Sequence, residues 1–232
     1  MRKASAIASL SLILAGLLPF SAQAAEVYGG VGIYGPQVGY AHALNDKFTV
    51  RGDLNGGFNY SRDVNSGGVD YRGKFKSQYA GVYADWFPTA SAFRLTGGVT
   101  FHDSKVTIDA KAGANVNAII NDIPVDLKDS YARGTAKFPS AAPYLGIGWG
   151  HKNSTKKGWG FYANLGVMVG KFKIKNYEEN ITTNPSVIAA QQALGRQVIT
   201  KKDIDVEINK AQGELNKLKA VPVVNVGVTY RF

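Results

Sequence analysis

The chain has 232 residues, 27 Lys and Arg against 17 Asp and Glu, and no cysteine. The missing thiols exclude a disulfide framework, a thiol nucleophile and a thiolate metal centre. With 27 glycines and 11% aromatic residues, the composition suits closely paired strands, and nothing after residue 24 approaches the roughly 18–20 continuous apolar residues of a spanning helix.

Arg2 and Lys3, an apolar core from Ile7 to Phe20 and the small-x-small site Ala22-Gln23-Ala24 predict a secretory signal peptide over residues 1–24. Its removal takes two cations and lowers the net charge from +10 to +8. Export makes nucleic acid an unsuitable partner for that excess and leaves anionic lipid or acidic solutes. Residues 25–232 are then one unit. If it enters a membrane it does so as a closed barrel, because only helices and closed barrels satisfy every backbone group in lipid.

A two-residue period begins at Glu26. Val27, Val31 and Ile33 oppose Tyr28, Gly30, Gly32 and Tyr34. After a turn at Gly35-Pro36, Val38, Tyr40, His42 and Leu44 share a face. The third run puts Phe48, Val50, Leu54 and Tyr60 outside and Thr49, Arg51, Asp53 and Asn55 inside. A polar loop is expected over Ser61 to Asp70. The next runs set Ala80, Val82, Ala84 and Trp86 against Tyr83 and Asp85, then Phe93, Leu95, Val99 and Phe101 against Arg94, Thr96 and Thr100. Asp103 to Ser140 is polar and irregular, a hairpin candidate extending past the membrane. Pro143 to Trp149 and Trp159 to Val169 alternate again, with Tyr144 and Tyr162 inside. Finally Pro222, Val224, Val226, Val228, Tyr230 and Phe232 oppose Val223, Asn225, Gly227, Thr229 and Arg231. The predicted fold is an all-β, antiparallel, up-and-down transmembrane barrel of about eight strands.

The expected periplasmic turns are Asn45 to Lys47, Phe87 to Ala92 and His151 to Gly158; the long connections should lie outside. Phe48, Trp86, Phe93, Trp149, Trp159, Phe161, Tyr230 and Phe232 then fall at one rim, as a periplasmic aromatic girdle. The terminal strand is the expected signal for the barrel-assembly machinery, with outer-membrane lipid and lipopolysaccharide as surroundings. In the last outer loop, Pro185 to Gly195 reads as a helix with Ser186 as N-cap. From Asp203, an apolar seam of Ile204, Ile208, Ala211, Leu215 and Leu218 predicts a second helix, one that either binds a partner or covers the pore, or that packs on its own barrel rim. Lys201, Lys202, Lys210, Lys217 and Lys219 offer charge to lipopolysaccharide, or form a solvated face.

Arg51, Asp53, Asp85, Arg94, Arg231, Tyr83, Tyr144 and Tyr162 are the candidate lumen residues. They form either a selectivity ring for small solutes or a salt-bridged plug, since eight strands enclose a space that side chains just fill. Catalytic signatures, metal spacings and cofactor motifs are absent from the sequence, so no enzyme, metal or cofactor is expected.

Ala142-Pro-Tyr-Leu-Gly-Ile-Gly-Trp149, Gly158-Trp-Gly-Phe161, Val167-Met-Val-Gly170, the helical Asp203 to Leu218 and the closing Val221 to Phe232 resemble the small outer-membrane barrels of the CarO type, ornithine-uptake porins associated with carbapenem susceptibility. The resemblance implies an eight-stranded barrel and passage of small or basic amino acids. This chain ends in Phe232 where that family has Trp.

Overall fold

The computed structural model describes residues 25–113, 116–154 and 156–232; the expected signal peptide lies outside the described residues. Thirteen strands and two helices are assigned: β1 (Ala25–Gly32), β2 (Gly35–Ala43), β3 (Phe48–Ser66), β4 (Val69–Trp86), β5 (Phe93–His102), β6 (Lys105–Ala112), β7 (Asn117–Ile120), β8 (Ile123–Asp126), β9 (Tyr131–Lys137), β10 (Ala141–Trp149), β11 (Gly158–Val169), β12 (Lys173–Glu179), α1 (Pro185–Ala193), α2 (Lys201–Leu215) and β13 (Ala220–Arg231).

Eight strands close a ring in the order β1-β2-β3-β4-β5-β10-β11-β13 and back to β1, every pair antiparallel. The closing ladder sets Glu26 opposite Arg231 and Gly32 opposite Asn225. Strand alternation explains the closure: along β13, Val224, Val226, Val228 and Tyr230 are exposed on the outer side while Val223, Asn225 and Thr229 are buried inside. A sheet closed on itself leaves no unpaired edge among those eight strands.

The extra strands are not additional staves. β6, β9 and β12 continue β5, β10 and β11 upward, in the order β4-β6-β9-β12. β4 therefore pairs with β5 over Tyr79–Trp86 and with β6 over Val69–Lys76. Backbone bonds carry the ladder across the breaks, from Asp103 N to Gln78 O at 3.0 Å, Phe138 N to Ser104 O at 3.2 Å and His102 N to Ser140 O at 2.8 Å. Half of the wall thus rises well above the other half, which stops at the tight β1–β2 turn.

Three sequence expectations change. Ser61 to Asp70 is not a loop: β3 and β4 pair as far as Ser66 and Val69, joined by Gly67 (φ 61°) and Gly68 (φ 80°). Two positive-φ residues give the turn whose twist matches paired strands, and Arg72 holds Asp63 at 2.7 Å across the ladder. Secondly, a bulge between Gly56 and Phe58 shifts the register, so Tyr60 stands opposite Phe75, which packs against the cluster at the top of the lumen. Cross-strand partners share a face, and Tyr60 belongs to the inner side rather than the outer. The hairpin expected over Asp103 to Ser140 forms, as the tall β6–β9 pair and the small β7–β8 hairpin; thirdly, the stretch before α1, expected as loop, starts as β12.

Both helices form, with shifted caps. Asn184 caps α1, its side chain accepting from Ser186 N at 3.0 Å; Pro185 takes the first turn, where its missing N–H costs nothing. α2 starts two residues before Asp203, because that carboxylate reaches back to the Thr200 amide (2.9 Å) and hydroxyl (2.6 Å). Ile204 and Ile208 pack with Ile120, Val125, Ile181, Val187 and Ile199, so this end of the seam meets the β7–β8 hairpin rather than the barrel rim. Leu218 is exposed.

Candidate functional site

The inner faces of the ring converge on a lumen filled in three layers. In the middle one, Arg51 Nε donates to Asp85 Oδ2 at 2.5 Å and Arg51 Nη2 to Asp85 Oδ1 at 3.3 Å. Arg94 lies 3.5 Å from the same carboxylate, which also accepts from Thr96 Oγ1 at 2.6 Å. Arg94 is further held by Asn164 Oδ1 and by the Gly150 carbonyl at 3.2 Å. Arg94 and Asp85 have no solvent exposure and Arg51 has 2%. A buried charge needs partners on every side, and these residues supply them.

Asp53 anchors the tyrosines. Its oxygens accept from Tyr28 (3.0 Å), Gln37 (2.7 Å), Asn55 (2.7 Å) and Tyr83 (3.2 Å), and Arg51 stands 3.8 Å away. Tyr162 donates to Gln37 Oε1 at 2.6 Å. The guanidinium of Arg51 lies 4.7 Å from the Tyr83 ring centre, and Tyr83 meets Tyr144 edge-on at 5.0 Å. Two arginines and two aspartates in this zone leave no net charge.

The tyrosines lie flat because glycine faces them. A Cβ at Gly98 would stand 2.6 Å from the Tyr83 ring, and one at Gly146 2.6 Å from the Tyr144 hydroxyl. Tyr162 covers Gly30 and Gly227 in the same way, and Arg94 covers Gly148. Large side chains thereby occupy the space that glycines on the same or neighbouring strands leave.

At the rim of short turns, Glu26 bridges His151 Nδ1 and Arg231, the latter at 2.8 Å. Arg231 also donates to the Lys152 carbonyl at 2.8 Å, and Thr49 Oγ1 donates to the His151 carbonyl at 3.0 Å. The His151 ring lies 4.6 Å from Tyr28 and 5.0 Å from Tyr162. His151, at the start of the β10–β11 turn, thus reaches inward as a stopper. At the opposite end Tyr34, Tyr79, Phe138, Met168 and Val223 pack above Tyr83 and Tyr144.

Of the eight lumen candidates, Arg51, Asp53, Asp85, Arg94, Tyr83 and Tyr144 stand together; Tyr162 joins them through Gln37 and Tyr28, and Arg231 sits a layer below. Sequence reasoning missed His151. Its positive φ of 61° after Gly150 (φ 100°) turns it inward, and strand periodicity says nothing about a turn residue. Gln37 was also missed, because Gly35-Pro36 obscured the start of β2.

The aromatic candidates occupy the short-turn rim on the outer side. Phe48 faces Trp86, Phe93 faces Trp149, and Trp159 faces Tyr230, with ring centres of the last pair 5.2 Å apart. Phe161 is one step higher, and Phe232 closes the rim by donating its amide to Ala25 O at 3.3 Å. Above them runs an exposed belt including Val27, Val31, Val38, Val50, Leu54, Val82, Leu95, Val99, Leu145, Ile147, Leu165 and Val226.

No family model and no curated protein matches the chain. The solved structures that match include two from Acinetobacter baumannii. CarO2 is 21% identical, with a TM-score of 0.59 over 90% of this chain and 98% of its own. CarO is 19% identical, with a TM-score of 0.56 over 89% of this chain and 97% of its own. The chain has the CarO-type fold. It is a closed β-barrel with an outward apolar belt.

Proposed function

We propose that this CarO-type barrel sits in the outer membrane with its short turns in the periplasm, and that its resting state is sealed, so that it acts through its raised outer wall and loop layer. The observation that carries the reading is the neutral, buried Arg51–Asp53–Asp85–Arg94 cluster, stoppered below by His151 and covered above by tyrosines. An ion or solute crossing it must separate charges that are costly to leave unpaired. The belt of exposed valines and leucines supports the membrane setting, since monomeric soluble proteins rarely expose so continuous an apolar surface. The aromatic rim fits the interface level of such a barrel.

A second reading is slow passage of small hydrophilic solutes, basic amino acids among them. It draws on the resemblance to CarO-type porins and on one observation: among the described residues, the buried side-chain oxygens of Asn55 and Asn225 have no protein partner. Such atoms give a small polar solute or water a foothold. Liposome swelling decides between the two. The sealed barrel gives rates for arginine, ornithine and glycine equal to those of empty vesicles; swelling faster with the basic amino acids overturns it in favour of the second.

A further inference from the structure

On the outer side of the raised wall, register places one lysine on each of four adjacent strands in a single row. Lys76 faces Lys105, Lys105 faces Lys137, and Lys137 faces Lys173. All four are exposed, and among the described residues none forms an ion pair. Like charges directly opposite one another destabilise a sheet. With strands about 4.8 Å apart, four ammonium groups lie within about 15 Å along a flat surface. The neighbouring rows manage their charge differently. Two steps above, Asp63, Arg72, Asp109, Arg133 and Glu178 alternate in sign. The lysines first suspected in the last loop are partly neutralised, Lys210 by Glu207 at 2.8 Å and Lys217 by Glu214 at 2.6 Å.

The height of the row is equally regular. Each lysine stands four residues beyond an outward residue of a barrel strand: Lys76 beyond Ala80, Lys105 beyond Phe101, Lys137 beyond Ala141 and Lys173 beyond Val169. Ala80, Phe101 and Ala141 are themselves one paired row. Four residues at about 3.3 Å each, on strands tilted roughly 40°, lift the ammonium groups about 10 Å above the last apolar ring. In an outer membrane that level belongs to phosphorylated sugar headgroups. Lys171 adds a fifth cation one step lower, and Asp103 is the acid on that lower step.

We infer that the Lys76–Lys105–Lys137–Lys173 row binds the phosphates of outer-leaflet lipopolysaccharide. The inference rests on the outer-membrane placement proposed above. Multivalent phosphate on a fixed lipid surface relieves repulsion among four aligned ammonium groups, and each lysine near an anionic surface adds to the attraction. Lysine suits such point-charge contacts with phosphate.

The test uses the mature full-length protein in detergent and the quadruple variant K76Q/K105Q/K137Q/K173Q, with three probes: diphosphorylated lipid A carrying inner-core sugars, the same lipid after enzymatic dephosphorylation, and inorganic phosphate at matched concentration. The wild type is expected to bind the phosphorylated lipid at least about tenfold more tightly than either the dephosphorylated lipid or the variant does, the preference shrinking at high salt. Unchanged binding by the quadruple variant overturns the inference, and so does equal protection by inorganic phosphate, which marks a free-anion site. A heat-modifiable gel band shared by both proteins confirms that the variant folds. Failure to insert into vesicles sinks the outer-membrane placement; insertion without lipid preference sinks only the lysine row.

Discussion

Asp85 is the residue on which the lumen turns, because Arg51, Arg94 and Thr96 all depend on its carboxylate. Replacing it with Ala leaves two buried guanidinium groups facing each other, and removing one partner of a buried pair costs about 3–5 kcal/mol. D85A is expected to unfold at a markedly lower urea concentration than wild type. D85N, which keeps the shape and one acceptor, should fall between; equal midpoints for all three would show that the layer contributes nothing. Gly98→Leu tests the glycine–tyrosine fit independently. Its side chain meets both the Val82 carbonyl oxygen and the Tyr83 ring, so strand and ring must shift together, costing at least about 1–3 kcal/mol as overpacking, whereas Leu at outward Gly97, which has nothing within 4 Å, should be tolerated; urea midpoints of the two variants compare them. The charged side chains were legible in the sequence from strand parity alone. Their partners were only half legible: parity names who faces inward, but Gly35-Pro36 hid that β2 already includes Gln37, and His151 enters from a turn whose direction no periodicity encodes.

The helices and hairpins of the loop layer depend on local chemistry. The Asp203 carboxyl is held down to about 2, first by the Thr200 hydroxyl and then by the Asn121 side chain and the Thr200 amide. An unfolded Asp titrates near 3.9, so the folded form gains stability above about pH 4 and loses it as pH falls toward 2. Amide exchange in α2 should therefore be flat from pH 7 to about 4, after correction for intrinsic rates, and then accelerate. D203N should remove that acid step; a step persisting in D203N would contradict the assignment. At the β3–β4 tip, Val in place of Gly68 must adopt a left-handed backbone, which costs about 1–2 kcal/mol. Limited proteolysis should cut G68V there and leave wild type intact. The sequence disclosed α1 and α2 through their apolar spacing, but the ends moved because Asn184 caps α1 in place of Ser186 and the Thr200–Asp203 pair starts α2 earlier. The β3–β4 hairpin was hidden because both strands are polar above the apolar belt, where alternation of apolar and polar residues no longer marks a strand.

At the scale of the whole molecule, eight staves were readable because eight segments hold an apolar outer face. That the wall continues upward on one side was not, since β6, β9 and β12 show their polar side to solvent and only the pairing exposes the lysine row. The molecule is a barrel with a filled interior and an asymmetric collar, and its central claim is the seal. Single-channel recording in planar bilayers compares the wild type with the variant R51A/D53A/D85A/R94A, which removes the four buried charges together. The wild type is expected to give no steps above the bare bilayer, and the variant a measurable conductance. Steady conductance through the wild-type protein would contradict the seal.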